Sequence, residues 1–187
     1  MTRLGLIVEG EGEVAALPVL VRRTAEAEGR TIHALRPHRR SRSSLVLRDE
    51  LKNSIEALHR IEHPGAVLVV IDADSDCAKE LGPELATRAQ RSDLPTAVVI
   101  AEVEFETWFL YAAESLRGAN ALKSDALAPE NPLEIASAKD WLTRHMHVAP
   151  YSPTRHQAAF TARIDLAAAR RSRSFAKPHR KVCRLSS

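Results

Sequence analysis

The sequence has few cysteines, few aromatic residues and no long hydrophobic run, and what is missing narrows the classes of protein it can belong to. No apolar run approaches the ~20 residues that span a bilayer, and the first residues lack the features of a signal peptide. The two cysteines, Cys77 and Cys183, have no partners at the spacing of zinc motifs. We therefore expect a protein without membrane contact in a reducing, cytoplasmic setting.

Acidic residues are absent from the last part of the chain. Positions 166–187 hold no aspartate or glutamate but seven basic residues, and a second basic cluster lies at 36–42. Basic clusters with few aromatics are typical of contact with phosphates, although a solvent-exposed basic face would have the same composition. The residues predicted to bind nucleic acid are Arg36, Arg39, Arg40, Arg42, Arg171, Arg173 and Lys177.

The hydrophobic pattern predicts an α/β fold. Apolar runs at 4–8, 31–35, 66–71 and 96–101 predict four strands, and the run at 66–71 is apolar throughout, as in a parallel sheet buried on both faces. We expect a central parallel sheet of about four strands flanked by helices. With 187 residues, 44% of them hydrophobic, the chain can form one domain with a real core. Its core is expected at about 1–115 and a helical C-terminal extension at about 116–187. Helices are predicted at about 13–28, 45–61, 83–91, 104–117, 134–145 and 155–171.

Acidic residues follow three of the four predicted strands. The first strand is followed by EGEGE at 9–13, the third by DADSD at 72–76, and the fourth by EVEFE at 102–106. Parallel strands bring their carboxyl ends to one edge of the sheet, where so many carboxylates repel one another unless a cation lies among them. Oxygen ligands of this kind suit Mg²⁺ or Mn²⁺.

Other interpretations of these motifs account for less of the sequence. The run GEGEVA at 10–15 formally matches a dinucleotide-binding turn, but glutamates surround the place of the pyrophosphate. A calcium loop starting at Asp72 fails because Cys77 and Pro83 stand where glycine and glutamate are needed. A phosphatase with Asp72 as nucleophile leaves the cluster around Glu9 unexplained. A solvated acidic turn at a helix N-terminus remains as the simplest alternative.

Two motifs resemble the Toprim domain of topoisomerases, DnaG-type primases and nucleases of the overcoming-lysogenization-defect class. They are IVEG at 7–10 and VVIDADSD at 69–76. The spacing of Glu9 and Glu13 resembles the paired glutamates of the nuclease class, and the pair Glu102-x-Glu104 resembles its later acidic motif.

A narrower resemblance covers nearly the whole chain. The motifs EFETWFL at 104–110, APYS at 149–152 and RSRSFAK at 171–177, with the region 157–165, resemble an uncharacterised Toprim-like bacterial family known as domain of unknown function 4276.

The resemblance implies metal-dependent hydrolysis of nucleic-acid phosphodiesters with two Mg²⁺ (or Mn²⁺) ions, in phage or plasmid defence beside an AAA-type ATPase. Glu9, Asp72 and Asp74 are the implied catalytic residues, with Lys139 or Lys177 to neutralise charge in the transition state. The alternative is a non-catalytic module that binds such an ATPase or nucleic acid. The resemblance does not decide whether the substrate is DNA or RNA, or whether the protein forms a homodimer. The implied metal ligands are Glu9, Glu13, Asp72, Asp74, Asp76 and Glu104.

Overall fold

The computed structural model describes residues 1–47, 49–91, 93–118 and 121–185. It has the predicted α/β architecture, with a parallel sheet between helices and further helices after it. The strands are β1 (Thr2–Val8), β2 (Ile32–Ala34), β3 (His38–Arg39), β4 (Ala66–Asp72) and β5 (Thr96–Ala101). The helices are α1 (Glu11–Ala27), α2 (Arg42–Leu45), α3 (Glu50–Glu62), α4 (Ala78–Arg88), α5 (Thr107–Leu110), α6 (Ala138–His145), α7 (Ala158–Arg163), α8 (Leu166–Ala169) and α9 (Arg173–Leu185).

The sheet order is β2-β1-β4-β5, and the short strand β3 also pairs with β1. Every pairing is parallel; β1 runs beside β4 from Leu4↔Ala66 to Val8↔Val70, and β4 runs beside β5 as far as Asp72↔Ala101. This register aligns the carboxyl ends of the three long strands. The acidic segments that follow them therefore emerge at one edge of the sheet.

The sheet is buried on both faces, as the apolar run at 66–71 predicts. Leu68 and Val70 pack on one side with α1 and the C-terminal helices, whereas Val69 and Ile71 pack on the other with α3 and α4. All seven residues of β4 are buried. Alternate residues of one strand thus supply two separate hydrophobic clusters.

Several predicted helices differ from the observed ones. The helix predicted at 45–61 begins at Glu50, and the one predicted at 83–91 already begins at Ala78. The segment 104–117 holds only the short α5 and a 3₁₀ turn, Ala113–Leu116. The segment 155–171 is divided into a π-helical turn, Pro153–Gln157, and the helices α7 and α8. Helix α8 starts anew because the Asp165 side chain accepts hydrogen bonds from the first backbone N–H groups.

The C-terminal helices complete the packing around α1. Helix α1 packs against α7, α9 and the π-helical turn. Trp108 lies edge-on to Phe175 of α9, with ring centroids 5.4 Å apart, and its Nε1–H donates to Ser174 Oγ at 2.9 Å. Phe109 meets Phe160 of α7 in the same way at 5.6 Å. Within the described ranges, no helix combines the length and the hydropathy that crossing a membrane needs.

Candidate functional site

The turn between β1 and α1 places two glutamates together. Glu9 follows the strand, Gly10 caps the helix, and Glu13 is the third residue of α1. The Glu13 side chain turns back, and its Oε2 accepts a hydrogen bond from the Glu9 N–H at 3.3 Å. In a capping box the third helical residue accepts from the N–H of the N-cap residue, here Gly10, whereas this bond reaches one residue further back. It holds Glu13, which is only 4% exposed, beside Glu9.

Glycine is required in this turn because another segment lies against it. A Cβ on Gly12 would come within 2.2 Å of Gln157 Oε1 and 2.8 Å of the Pro153 carbonyl carbon. Both of these residues belong to the π-helical turn. Gly12 therefore lets the C-terminal extension cover the start of α1.

Three further strand-end carboxylates lie close to Glu9 and Glu13. Asp72, the last residue of β4, is 8% exposed and its Oδ1 accepts from the Phe105 N–H at 2.8 Å. Glu106 is 1% exposed, and its Oε1 accepts from Tyr151 Oη–H at 3.1 Å and from Gln157 Nε2–H at 3.2 Å. Glu104, which precedes α5, is held by α6, as described below. We call Glu9, Glu13, Asp72 and Glu106 the inner acidic cluster.

Burial raises the pKa of every member of the inner acidic cluster, and for Glu13 and Asp72 the charges of other members add to this. Burial, with Glu106 and Glu9 adding repulsion, raises the pKa of Glu13 to about 7. Burial and then the charges of Glu13 and Glu106 raise the pKa of Asp72 well above its ordinary value. Burial and Asp74 raise the pKa of Glu9, and burial raises that of Glu106. Their negative charges thus share one poorly solvated space, which favours a bound cation.

Lys139 supplies one cation to this space. It lies at the start of α6, where its Nζ contacts Glu104 Oε2 and lies 3.4 Å from Glu106 Oε2. Its backbone N–H also donates to Glu104 Oε1 at 3.0 Å. Burial alone would lower the pKa of Lys139, but Glu106 and Glu104 outweigh this and raise it. Of the two predicted lysines, Lys139 is therefore the one at the site; Lys177 lies on α9, outside the residues that line the cleft.

The two other aspartates of DADSD pair with an arginine. Asp74 and Asp76 are exposed, and we call residues 74–76 the outer acidic loop. The Arg42 Nε lies 3.1 Å from Asp74 Oδ2, while its Nη2 contacts Asp76 Oδ2 and donates to the Ala73 carbonyl at 3.0 Å. Asp74 also has a positive φ of 50°, uncommon for a residue other than glycine. The guanidinium of Arg42, predicted to bind nucleic acid, is thus engaged by the chain's own acidic loop.

A cleft of about 360 Å³ opens beside the inner acidic cluster. The sheet edge forms one wall, and Lys139 with the segment 152–157 forms the other. Among the described residues, Glu9 Oε2 and Gln157 Oε1 are buried oxygens without a hydrogen-bond partner. Unpaired oxygens beside clustered carboxylates are the donor set that Mg²⁺ or Mn²⁺ takes. In the described part of the chain, no three of these carboxylates bring ligand atoms within 4.8 Å of one another. A bound ion would draw at least one side chain inward.

Part of the predicted basic set lies next to this cleft. Arg36 and Arg39 line a neighbouring pocket of about 470 Å³, which shares Glu11 with the cleft. Arg39 Nη1 pairs with Glu11 Oε2 at 3.3 Å, and both side chains are exposed. Arg40 is exposed next to Arg39. The described residues that line the two pockets include none of the C-terminal set Arg171, Arg173 and Lys177.

The sequence interpretation missed the residues that complete the inner acidic cluster. Glu106 belongs to the EVEFE motif, but only its deeper burial and its hydrogen bonds from Tyr151 and Gln157 distinguish it from Glu104. Tyr151 and Gln157 lie within two motifs quoted for the family resemblance, and no simple spacing relates them to Glu106. The packing of the C-terminal extension on α1 brings them together.

Comparison with known proteins gives one result. The model of the family described as Domain of unknown function (DUF4276) matches residues 8–181, from the last residue of β1 into α9. No curated protein and no solved structure matches the chain.

Proposed function

The chain belongs to the DUF4276 family, and we propose that it is a metal-dependent nucleic-acid phosphodiester hydrolase of the Toprim type. One observation carries the proposal. Four carboxylates from the ends of β1 and β4 and the segment after β5 meet at a cleft, with raised pKa values and an unpaired buried oxygen on Glu9. Keeping these charges together without a cation costs free energy, so the cluster is expected to hold one.

Glu9, Asp72 and Glu13 are the proposed metal ligands, and Asp74 would join from the outer acidic loop. Glu104 and Glu106 support the site by holding Lys139. Asp76 is paired with Arg42, so of the predicted metal ligands it is the least suited to bind a metal ion. Bound Mg²⁺ or Mn²⁺ would activate a water and stabilise charge on the phosphate.

The protein's own residues prepare the cleft for a phosphodiester. Lys139 holds a fixed positive charge at the wall, suited to a phosphoryl oxygen that gains charge in the transition state. Tyr151 and Gln157 donate to Glu106 and so fix the carboxylate that orients the lysine.

Nucleic acid is the proposed substrate because of the adjacent arginines. Arg36, Arg39 and Arg40 lie on the same side of the protein as the cleft and suit the phosphates that flank the cleaved bond. The C-terminal basic residues Arg171, Arg173 and Lys177 line neither pocket, so their contact with nucleic acid stays a separate prediction. A cytoplasmic location, a role in phage or plasmid defence and an AAA-type ATPase partner belong to the same proposal and rest on the Toprim resemblance.

A non-catalytic binding module is the second candidate, and one observation favours it. Lys139 already pairs with two of the acidic residues, so part of the negative charge is compensated without any metal. In that case the fold would bind nucleic acid or an ATPase without turnover.

Cleavage assays separate these functions. Labelled single- and double-stranded DNA and RNA are incubated with Mg²⁺ or Mn²⁺, with and without the ATPase partner. Glu9→Gln should lower cleavage by orders of magnitude while leaving binding through the arginines intact. Glu26→Gln is the matched control, because Glu26 is an exposed residue of α1 that lines neither the cleft nor the neighbouring pocket. Equal inactivity of the wild type and Glu9→Gln, together with equal binding, would favour the non-catalytic module.

A further inference from the structure

A second group of potential metal ligands lies at the other end of α1. Glu28 follows the last residue of the helix, and His179 and Cys183 lie on α9. Residues four apart on a helix share one face, so the imidazole and the thiol point to the same side. Within the described residues, these are the only three whose ligand atoms lie within 4.8 Å of one another. Helix α1 is 17 residues long, which separates the group from the cleft by roughly 25 Å.

The donor atoms of this group differ from those of the cleft. A carboxylate, an imidazole and a thiol provide oxygen, nitrogen and sulfur, whereas the cleft provides oxygen. Nitrogen and sulfur donors select Zn²⁺ and related transition metals over Mg²⁺. Glu28 Oε1 lies 3.1 Å from His179 Nε2, a separation that a shared ion could bridge.

We propose that Glu28, His179 and Cys183 form a binding site for a divalent transition metal of the zinc class, which fastens α9 to the end of α1. Solvent would complete the coordination. The site is independent of the proposed nuclease function, because it shares no residue with the cleft.

The Arg170 guanidinium lies beside two of the proposed ligands, where the metal ion would bind. Arg170 Nη2 lies 3.3 Å from Glu28 Oε1 and also contacts His179 Nε2. The group therefore already attracts a cation. The Arg170 side chain is 39% exposed and can turn into solvent when a metal ion replaces it.

The two α9 ligands differ in how readily they bind a metal ion. Burial and the neighbouring Arg170 lower the pKa of His179 and so favour the neutral imidazole, the form that ligates a metal. Burial and Glu28 raise the pKa of Cys183, which opposes the loss of the thiol proton that binding requires. Arg30 Nη1–H donates to the Cys183 carbonyl at 2.6 Å and helps to fix the backbone there.

Titration of the purified full chain with Zn²⁺, and with Co²⁺ as a spectroscopic substitute, tests the site. We expect one tightly bound equivalent and a thiolate-to-Co²⁺ absorption band. Cys183→Ser should abolish the band, and Cys183→Ser or His179→Gln should weaken binding by more than the 10- to 100-fold typical of changes outside the coordination shell. Cys77→Ser and His33→Gln are the matched controls and should bind as the wild type does.

Two further variants distinguish a metal site from an ion-pair cluster. Arg170→Ala removes the competing cation, so Zn²⁺ should bind more tightly to it than to the wild type, and Arg173→Ala should change nothing. Glu28→Gln, at an exposed position that tolerates change, should weaken binding. Zn²⁺ should also raise the Tm of the wild type but not that of Cys183→Ser. Equal affinity of the wild type, Cys183→Ser and Glu28→Gln, or no thiolate band, would overturn the proposal.

Discussion

The inner acidic cluster and the outer acidic loop come partly from the same DADSD motif, yet they lie in opposite environments. Asp72 is buried and its pKa is raised, although the charge of Lys139, which also pairs with Glu104 and Glu106, acts to lower it. Asp74 and Asp76 are exposed, and Arg42 compensates both. The strand ends at Asp72 and the chain turns at Asp74, which has a positive φ, so one sequence motif is divided between a buried site that shares one lysine and an exposed loop paired with an arginine.

The difference shows which carboxylates can gain most from a metal ion. An exposed ion pair such as Asp76 with Arg42 contributes little to the free energy of folding, because water can replace either partner. Buried carboxylates that repel one another gain far more from a cation. Metal affinity should therefore depend on the inner acidic cluster more than on the outer acidic loop.

The largest expected effect is the loss of metal binding and cleavage in Asp72→Asn. The substitution keeps the size of the side chain and removes one charge from the inner acidic cluster, so Mn²⁺ affinity and cleavage should fall by orders of magnitude. Asp74→Ala should weaken Mn²⁺ binding less, and Asp76→Asn should bind nearly as the wild type does. Calorimetry with Mn²⁺ measures all three, and equal losses in Asp72→Asn and Asp76→Asn would erase the distinction between the two regions.

Replacing Lys139 by methionine should destabilise the protein and make its stability depend on metal. Without the lysine, the buried Glu106 keeps its charge repulsion but loses its cation, a loss of about 1–3 kcal/mol in the free energy of unfolding. Mg²⁺ should restore much of this free energy of unfolding by placing positive charge beside the same carboxylates. Urea unfolding with and without Mg²⁺ tests this, with Lys177→Met as control. A Lys139→Met protein as stable as the control would contradict the role given to Lys139.

Gly12→Ala should displace the π-helical turn, which forms one wall of the cleft. The new Cβ would overlap Gln157 Oε1 and the Pro153 backbone, which costs about 1–3 kcal/mol unless the π-helical turn moves away. Gly82→Ala is the control, because a Cβ there meets Ile100 at an ordinary 3.5 Å and alanine favours a helix. Thermal unfolding of both variants gives the comparison. Equal stability would mean that the extension does not press on α1.

A further predicted effect is a change in the pH dependence of stability. The pKa of Glu13 rises from 4.5 to about 7 in the folded protein, which therefore holds an extra proton between these values. The free energy of unfolding of the metal-free protein should fall as pH rises through this window, and then level off. Glu13→Gln should make this fall shallower, whereas Glu11→Gln in the exposed part of the turn should not. Identical slopes in both variants would mean that Glu13 titrates normally.

The strands and the acidic edge of the sheet could be predicted because local patterns determine them. The run at 66–71 is apolar at every position, and parallel pairing then places Glu9 and Asp72 at one edge. The two-residue strand β3 has no such pattern and was missed.

The remaining features depend on contacts between distant segments. Lys139 and Lys177 look equivalent in the sequence, and only the docking of α6 distinguishes them. Helix α9 was missed because its basic residues and Pro178 obscure the apolar face formed by Phe175 and Val182. Cys183 has its histidine four residues away, but Glu28 joins them only through tertiary packing.

The most direct test of the metal-dependent hydrolase is a crystal of the protein soaked in Mn²⁺. Anomalous scattering identifies the ion without relying on activity or on a partner. We expect a peak in the cleft, in contact with carboxylate oxygens of Glu9 and Asp72. A fully soaked crystal without a peak there, or with one only at the outer acidic loop, would contradict it.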